Sequence, residues 1–386
     1  MAPWDFGNCS VFVQFTRGRR VEKGNHRYCS AIPLGELFQI GSRRSPVRTR
    51  CGPRQGGRLM KVITTATAFI LGSAAFAHAA DKVTFQMDWL PGGDKAAIFV
   101  CLERGFCEKA GLELSLETGR GSSESLTKLA TGSSDIGNAD IGALMAARVT
   151  EKLPVTAVMS YYNEGPHAFF TLKGNGIESF ADVKGKDVVT SPFTSSNVYL
   201  PLVLHDNDLT MDDITLTKSD PGALNPMLVT GRTDAVISWI TDVTRYSQQA
   251  QDAGREMIVL PWADAGLVMY SGAIVASDKF LEERPDVARR FVGALLESVE
   301  YMRANPDDAA KAVTDAVPEL DHATALGSLQ DALGLIFNDV TERDGLGAFD
   351  PVRLKATWER VAAAQGMDLD ALDPEDIVDR SFMPGN

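Results

Sequence analysis

Two kinds of hydrophobic spacing alternate from Lys82 onward. "KVTFQMDW" alternates with period two and predicts a strand. "DKAAIFVCLERGFCEKAG" carries apolar positions at helical spacing, "LELSLET" returns to the strand pattern, and "SESLTKLATG" predicts a helix stopped at Gly132. "SDIGNAD" completes the series as a short buried strand with a polar tip. A second series repeats the order from about Lys186: "KDVVTS", "SSNVYLPLVLHDNDL", "ITLTKS", "PGALNPMLVTG" and "TDAVISW". Strands alternating with helices predict parallel sheets covered by helices.

The two series coincide in detail at one point. Leu129-Ala130-Thr131-Gly132-Ser133-Ser134-Asp135 matches Leu228-Val229-Thr230-Gly231-Arg232-Thr233-Asp234 at an offset of 99 residues. Shared helix-stop chemistry could produce such an echo, but the flanking elements follow in the same order. The chain therefore reads as two α/β lobes. In this register "MDWLPGGDKAAIF" corresponds to "TSPFTSSNVYLPL", and "GNAD" to "SWITD". Ligands of open parallel sheets bind outside the carboxyl ends of the strands. Two facing lobes would thus gather Asp88, Trp89, Asp140, Phe193, Ser195, Trp239 and Asp242 into one cleft, with aromatic walls and acceptor groups between them. "SYYNEGPHAFF" is either a loop with buried tyrosines or a third cleft edge contributing Tyr162, Asn163 and Glu164.

Beyond the second series, from "AGLVMYSGAIVAS", a strand pair is expected and then two helices, with Pro285 and Pro306 at helix starts, and further helices near 321–335 and 350–364. The expected division places lobe 1 in residues 81–172 and 270–386, discontinuous and with a helical C-terminal part, and lobe 2 in 173–269. Hinges are expected near 168–178 and 262–275.

Charge separates the first residues from the rest. Residues 1–59 hold eleven Lys/Arg against three Asp/Glu, about +8, which leaves about −21 on the remainder of a chain with formal net charge −13. That segment lacks periodicity and reads as a non-native or disordered extension, a basic arm being the competing reading. Residues 60–80, "MKVITTATAFILGSAAFAHAA", have the charged start, short apolar core and small-x-small end of a secretory signal. The core is short for a membrane span, and no cysteine stands at the cleavage point for a lipid anchor. A soluble periplasmic protein is expected. Its acidity argues against nucleic acid as partner.

Of the five cysteines, Cys101 and Cys107 lie beyond the signal. On one continuous helix they would point about 240° apart and stand roughly 9 Å along the axis, so two free thiols are expected. His167, His205 and His322 are too scattered for a metal site. No cofactor is expected. The turn after "KVTFQ" satisfies neither nucleotide-loop pattern, and no nucleophile elbow is present.

"DWLP" followed by "AAIFVCLERGFCEKAGLELSL", then "KLATGSSDIGNAD", "GIESFADVKGKDVVTS" and "VTGRTDAVISW", resembles the substrate-binding proteins of ABC importers for nitrate, sulfonates, taurine and thiamine-pyrimidine precursors. The resemblance covers about Lys82 to Trp358. It implies the type II periplasmic-binding-protein fold, a monomer that closes its two lobes on one small molecule and passes it to a membrane permease. The pair Asp88-Trp89 resembles the branch that binds formylaminopyrimidine-type precursors, in which a ring is stacked between side chains. Sulfonate, nitrate or another anion remains the alternative, through Ser195, Ser196 and the helix N-termini. The resemblance also includes pyrimidine synthases with clustered cysteines, and this chain lacks that cluster, so a binding protein rather than an enzyme is expected.

Overall fold

The computed structural model describes residues 79–385; the expectations for residues 1–59 and for the signal up to residue 78 lie outside the described residues. Among the described residues ten strands form two sheets. They are β1 (Asp81–Gln86), β2 (Leu112–Glu117), β3 (Ile136–Asp140), β4 (Val155–Ser160), β5 (His167–Leu172), β6 (Asp187–Thr190), β7 (Thr215–Lys218), β8 (Ala235–Trp239), β9 (Met257–Pro261) and β10 (Gly272–Ser277). The first sheet has the order β2-β1-β3-β10-β4 and the second β7-β6-β8-β5-β9.

The two sheets share one plan. β1 runs parallel to β2 and β3, as β6 does to β7 and β8. One strand in each is reversed: β10 is antiparallel to β3 and β4, and β5 to β8 and β9. Both reversed strands follow a crossing from the other sheet. β5 follows 161–166 and β10 follows 262–271. The strand His167–Leu172 therefore lies in the second sheet, so the first crossing precedes it, ahead of the expected hinge at 168–178 and of the division at 172/173. The hydrophobic run "HAFF" suits either sheet, which is why its membership was not legible.

The sequence echo extends to the backbone. Gly132 and Gly231 both adopt positive φ, 74° and 70°, where a Cβ would be strained. Each closes the same helix stop: the Gly132 and Ser133 amides bond to Leu129 and Lys128, and the Gly231 and Arg232 amides to Leu228 and Met227. Asp135 and Asp234 then play one role. Each donates its amide to the first strand of its sheet and accepts an amide from that strand with its carboxylate.

Central strands β3, β5 and β10 are buried along their whole length, whereas edge strand β2 alternates buried or half-buried with exposed positions. Helices Ala96–Glu103, Pro285–Ala304 and Pro306–Ala316 share one core with β1, including Phe85, Phe99 and Phe291. Pro285 and Pro306 occupy helix starts as expected. Helix Pro351–Gln365 contributes Trp358 and Val361 to a core that also holds Leu144, Phe169 and Leu200, so the helical C-terminal third touches elements of both sheets.

Cys101 and Cys107 form a disulfide with their Cα atoms 5.0 Å apart, which corrects the expectation of two thiols. A continuous helix was the mistaken premise. Helix Ala96–Glu103 ends, Gly105 turns the chain at φ 75°, and a separate helix Phe106–Lys109 brings Cys107 back. "ERGF" carried that break, since glycine is the residue that tolerates positive φ.

Candidate functional site

The carboxyl ends of β1 and β8 meet across the two sheets. Between them lies a cavity lined by Asp88, Trp89, Gly121, Ser122, Thr194, Ser238, Trp239 and Thr241, with about 290 Å³ of empty space including its mouth. The turns after β1 and at the start of helix Ser122–Ala130 form one wall; the turns after β6 and β8 form the other.

The two tryptophans are exchanged between the lobes. Trp89 packs against the core of the second sheet, around Phe170, Val189 and Val236. Trp239 packs against the core of the first sheet. Its ring meets the edges of Tyr162 and His167 at centroid distances of 6.1 Å and 5.8 Å. Each wall is thus seated partly in the opposite lobe.

Beneath Asp88 lies a buried ionic cluster that sequence reading missed. Lys95 is 3 % exposed, and its Nζ stands 3.0 Å from Asp88 Oδ1 and 2.7 Å from Asp94 Oδ2, with the Trp239 ring 5.6 Å away. Burial alone would lower the Lys95 pKa, but the Asp88 and Asp94 carboxylates outweigh it and hold the ammonium protonated. Asn138 on β3 fixes Asp88 from the other side. Its Nδ2 donates to Asp88 Oδ1 at 2.6 Å, while the Asp88 amide donates to Asn138 Oδ1 at 3.1 Å. Asp88 Oδ2 has no hydrogen-bond partner within the protein, and neither have the indole Nε1 atoms of Trp89 and Trp239. Buried polar atoms are ordinarily satisfied. These three unpartnered atoms belong to residues that line one cavity.

The other expected site residues divide by position. Asp242 stands behind the second wall, accepting from Ser238 Oγ at 2.6 Å and Arg245 Nη2 at 2.5 Å. Phe193 is half-buried beside the lining residue Thr194, with the Arg120 guanidinium 4.8 Å from its ring centre. Ser195 is fully buried, its Oγ unpartnered. Asp140 does not line the cavity, because three donors occupy its carboxylate: the Ala143 amide, Tyr199 OH and Ser271 Oγ. Burial pushes its pKa up against those bonds. Tyr162 is fully buried and donates to the Asp94 carbonyl, so it props the wall from behind. Asn163 is engaged by Ser160, Ile336 and Thr341. Glu164 is half-buried and outside the cavity lining.

Gly121, Ser122, Thr194, Ser238 and Thr241 line the cavity without having been singled out. The Gly-Ser-Ser start of helix Ser122–Ala130 was a usable signal. Gly121 adopts φ 153°, and a Cβ there would lie 2.1 Å from the Phe193 carbonyl, so glycine lets the two walls meet.

The family model described as NMT1/THI5 like matches residues 93–309. A protein named for thiamine biosynthesis in Haemophilus influenzae is 26% identical, the match covering 74% of this chain and 90% of the relative. The riboflavin-binding protein RibY of Chloroflexus aurantiacus is also 26% identical, over 79% of this chain and 86% of the relative. A 4-amino-5-hydroxymethyl-2-methylpyrimidine phosphate synthase of Saccharomyces cerevisiae is 24% identical, over 63% and 73%. Among solved structures, the alkanesulfonate-binding protein SsuA of Xanthomonas axonopodis pv. citri superposes with a TM-score of 0.62 at 16% identity, covering 79% of this chain and 99% of that one. The fold is that of periplasmic binding proteins. No helix among the described residues is long and apolar enough to cross a membrane.

Proposed function

Since the chain belongs to the NMT1/THI5-like family, we propose that it is the exported solute-binding component of an ABC importer. It captures a small heteroaromatic amine, foremost an aminopyrimidine precursor of thiamine, and delivers it to a membrane permease. One observation carries this reading: the interlobe cavity has a tryptophan on each wall and an unpartnered carboxylate oxygen, Asp88 Oδ2, among its lining residues. A flat ring gains roughly 0.5–1.5 kcal/mol from an aromatic partner beyond area burial. An exocyclic amine would satisfy Asp88 Oδ2, and ring nitrogens or a hydroxyl would satisfy the indole N–H groups.

Charge supports the same choice. Three carboxylates, Asp88, Asp94 and Asp242, face two cations, Lys95 and Arg245, so the surroundings disfavour an added anion. The sulfonate or nitrate reading keeps one specific support: hydroxyls of Ser122 and Thr194 stand at or near the starts of two helices. The synthase reading draws on the yeast relative. Against it, both described cysteines are tied in a disulfide rather than available as thiolates, and a disulfide suits an oxidising compartment.

Calorimetric titration against aminopyrimidines, riboflavin, taurine, alkanesulfonates and nitrate tests the proposal. Stoichiometric binding of an aminopyrimidine that is recovered chemically unchanged is expected. Preference for a ring-free sulfonate, or conversion of the bound molecule, would overturn it.

A further inference from the structure

Helix His322–Ile336 touches both turns that build the cleft. It is anchored in the first-sheet core through Leu329, Ala332, Leu335 and Ile336. Gly93, in the turn that carries Asp94 and Lys95, lies so close beneath it that a Cβ would stand 1.7 Å from the Ala325 carbonyl oxygen. From the same helix, Ser328 Oγ donates to the Thr241 carbonyl at 2.8 Å, and Asp331 Oδ2 accepts the Thr244 amide at 2.9 Å. Gly327 admits this approach, because a Cβ there would lie 2.3 Å from Thr244 Cγ2.

Helix Val243–Asp252 needs that acceptor. The first amides of a helix have no partner within it, and an N-cap side chain normally supplies one. Here the N-cap residue is Asp242, but its side chain makes no cap bond. Its carboxylate is committed to Ser238 and Arg245. Asp331, 87 residues from Thr244, fills the vacancy from a helix rooted in the other lobe.

We propose that Asp331, assisted by Ser328, is a positioning residue of the cleft. It caps the second-lobe helix only while the lobes are shut, and so holds the Trp239–Thr241 wall against Trp89. Parting of the lobes breaks the cap, and the off-rate of a bound ligand is set in part by this bond. This inference rests on the reading of the cavity as a ligand clamp.

Three variants of the full chain test it: Asp331→Ala, Asp331→Asn and Ser328→Ala. Hydrogen exchange of amides 243–252 and the radius of gyration from small-angle scattering are read without ligand. Dissociation of 4-amino-5-hydroxymethyl-2-methylpyrimidine is read by stopped-flow tryptophan fluorescence. Loss of one cap corresponds to about fivefold in an equilibrium or rate. Asp331→Ala is expected to exchange its first-turn amides about fivefold faster, to enlarge the radius of gyration and to release the probe about fivefold faster at unchanged on-rate. Asp331→Asn, which can still accept the amide, should stay within about twofold of the parent, and Ser328→Ala should fall between them. A lower melting temperature with unchanged dissociation and radius would reduce Asp331 to a structural cap and overturn the proposal. Asn behaving like Ala would do the same. If the parent binds no probe, the aminopyrimidine reading fails separately, and unchanged exchange and radius in Asp331→Ala still sink the strap.

Discussion

Replacing Lys95 by methionine is the sharpest physical perturbation of the site. The side chain is buried, and its ammonium is shared by Asp88 at 3.0 Å and Asp94 at 2.7 Å. Methionine fills similar volume but removes the charge, leaving two buried carboxylates, of which Asp88 retains only Asn138 Nδ2 as a side-chain donor. Breaking a buried ion pair from one side costs roughly 3–5 kcal/mol, a large part of the roughly 5–15 kcal/mol that holds a domain together. At about 2 °C per kcal/mol for a domain of this size, the melting temperature should fall by roughly 6–10 °C. The sign of the pH dependence follows. Burial already raises the folded-state pKa of Asp94 and Lys95 opposes that rise, so without Lys95 it climbs further and folding weakens as pH rises from about 4 through that raised value. The gap between parent and variant should therefore be narrow near pH 4 and full at pH 8. Urea denaturation at both pH values measures it. A gap under about 1 kcal/mol at pH 8, or one equal at both pH values, refutes the reasoning.

Other predictions concern separate parts of the molecule. Trp89→Ala should weaken binding of an aminopyrimidine by about tenfold or more; a calorimetric Kd equal to the parent's removes the stacking claim. Cys101→Ser with Cys107→Ser should lower stability by about 2 kcal/mol, from the entropy of a six-residue separation, read by urea midpoint under non-reducing conditions. His167 is fully buried, and burial pushes its pKa down to about 3. Because the unfolded chain binds that proton near pH 6.5, His167 costs stability progressively as pH falls from about 6.5 towards 3. His167→Gln should flatten the acid limb of the stability curve in that window; an unchanged limb would contradict the assignment.

Much of the architecture was legible because it is written in periodicity. Every strand and helix of the two repeated series appears, and the Thr-Gly stops recur with the same hydrogen bonds. What stayed hidden is long-range or depends on one backbone dihedral. Membership of His167–Leu172 in the second sheet is fixed by pairing with β8 and β9, which no local pattern reveals. Gly105 breaks a helix whose hydrophobic spacing runs on past it. For the site, the register of the two lobes brought Asp88, Trp89 and Trp239 to one cavity. Lys95 escaped notice because a lysine beside an aspartate ordinarily marks a solvated face. Tertiary packing makes it a buried cation, with the Trp239 ring 5.6 Å from its ammonium. Asp140 looked like a cleft acceptor from its place at a strand tip, yet Tyr199 and Ser271, distant in sequence, take up its oxygens.

The central claim is that Trp89 and Trp239 close on a small aromatic amine whose donor meets Asp88. Isothermal titration of 4-amino-5-hydroxymethyl-2-methylpyrimidine into the purified protein, with mass spectrometry of the recovered ligand, tests it most directly. The expected result is one saturable site per chain, quenched tryptophan fluorescence and a ligand of unchanged mass. Absence of binding alongside saturable uptake of a sulfonate, or a recovered product of altered mass, would contradict it.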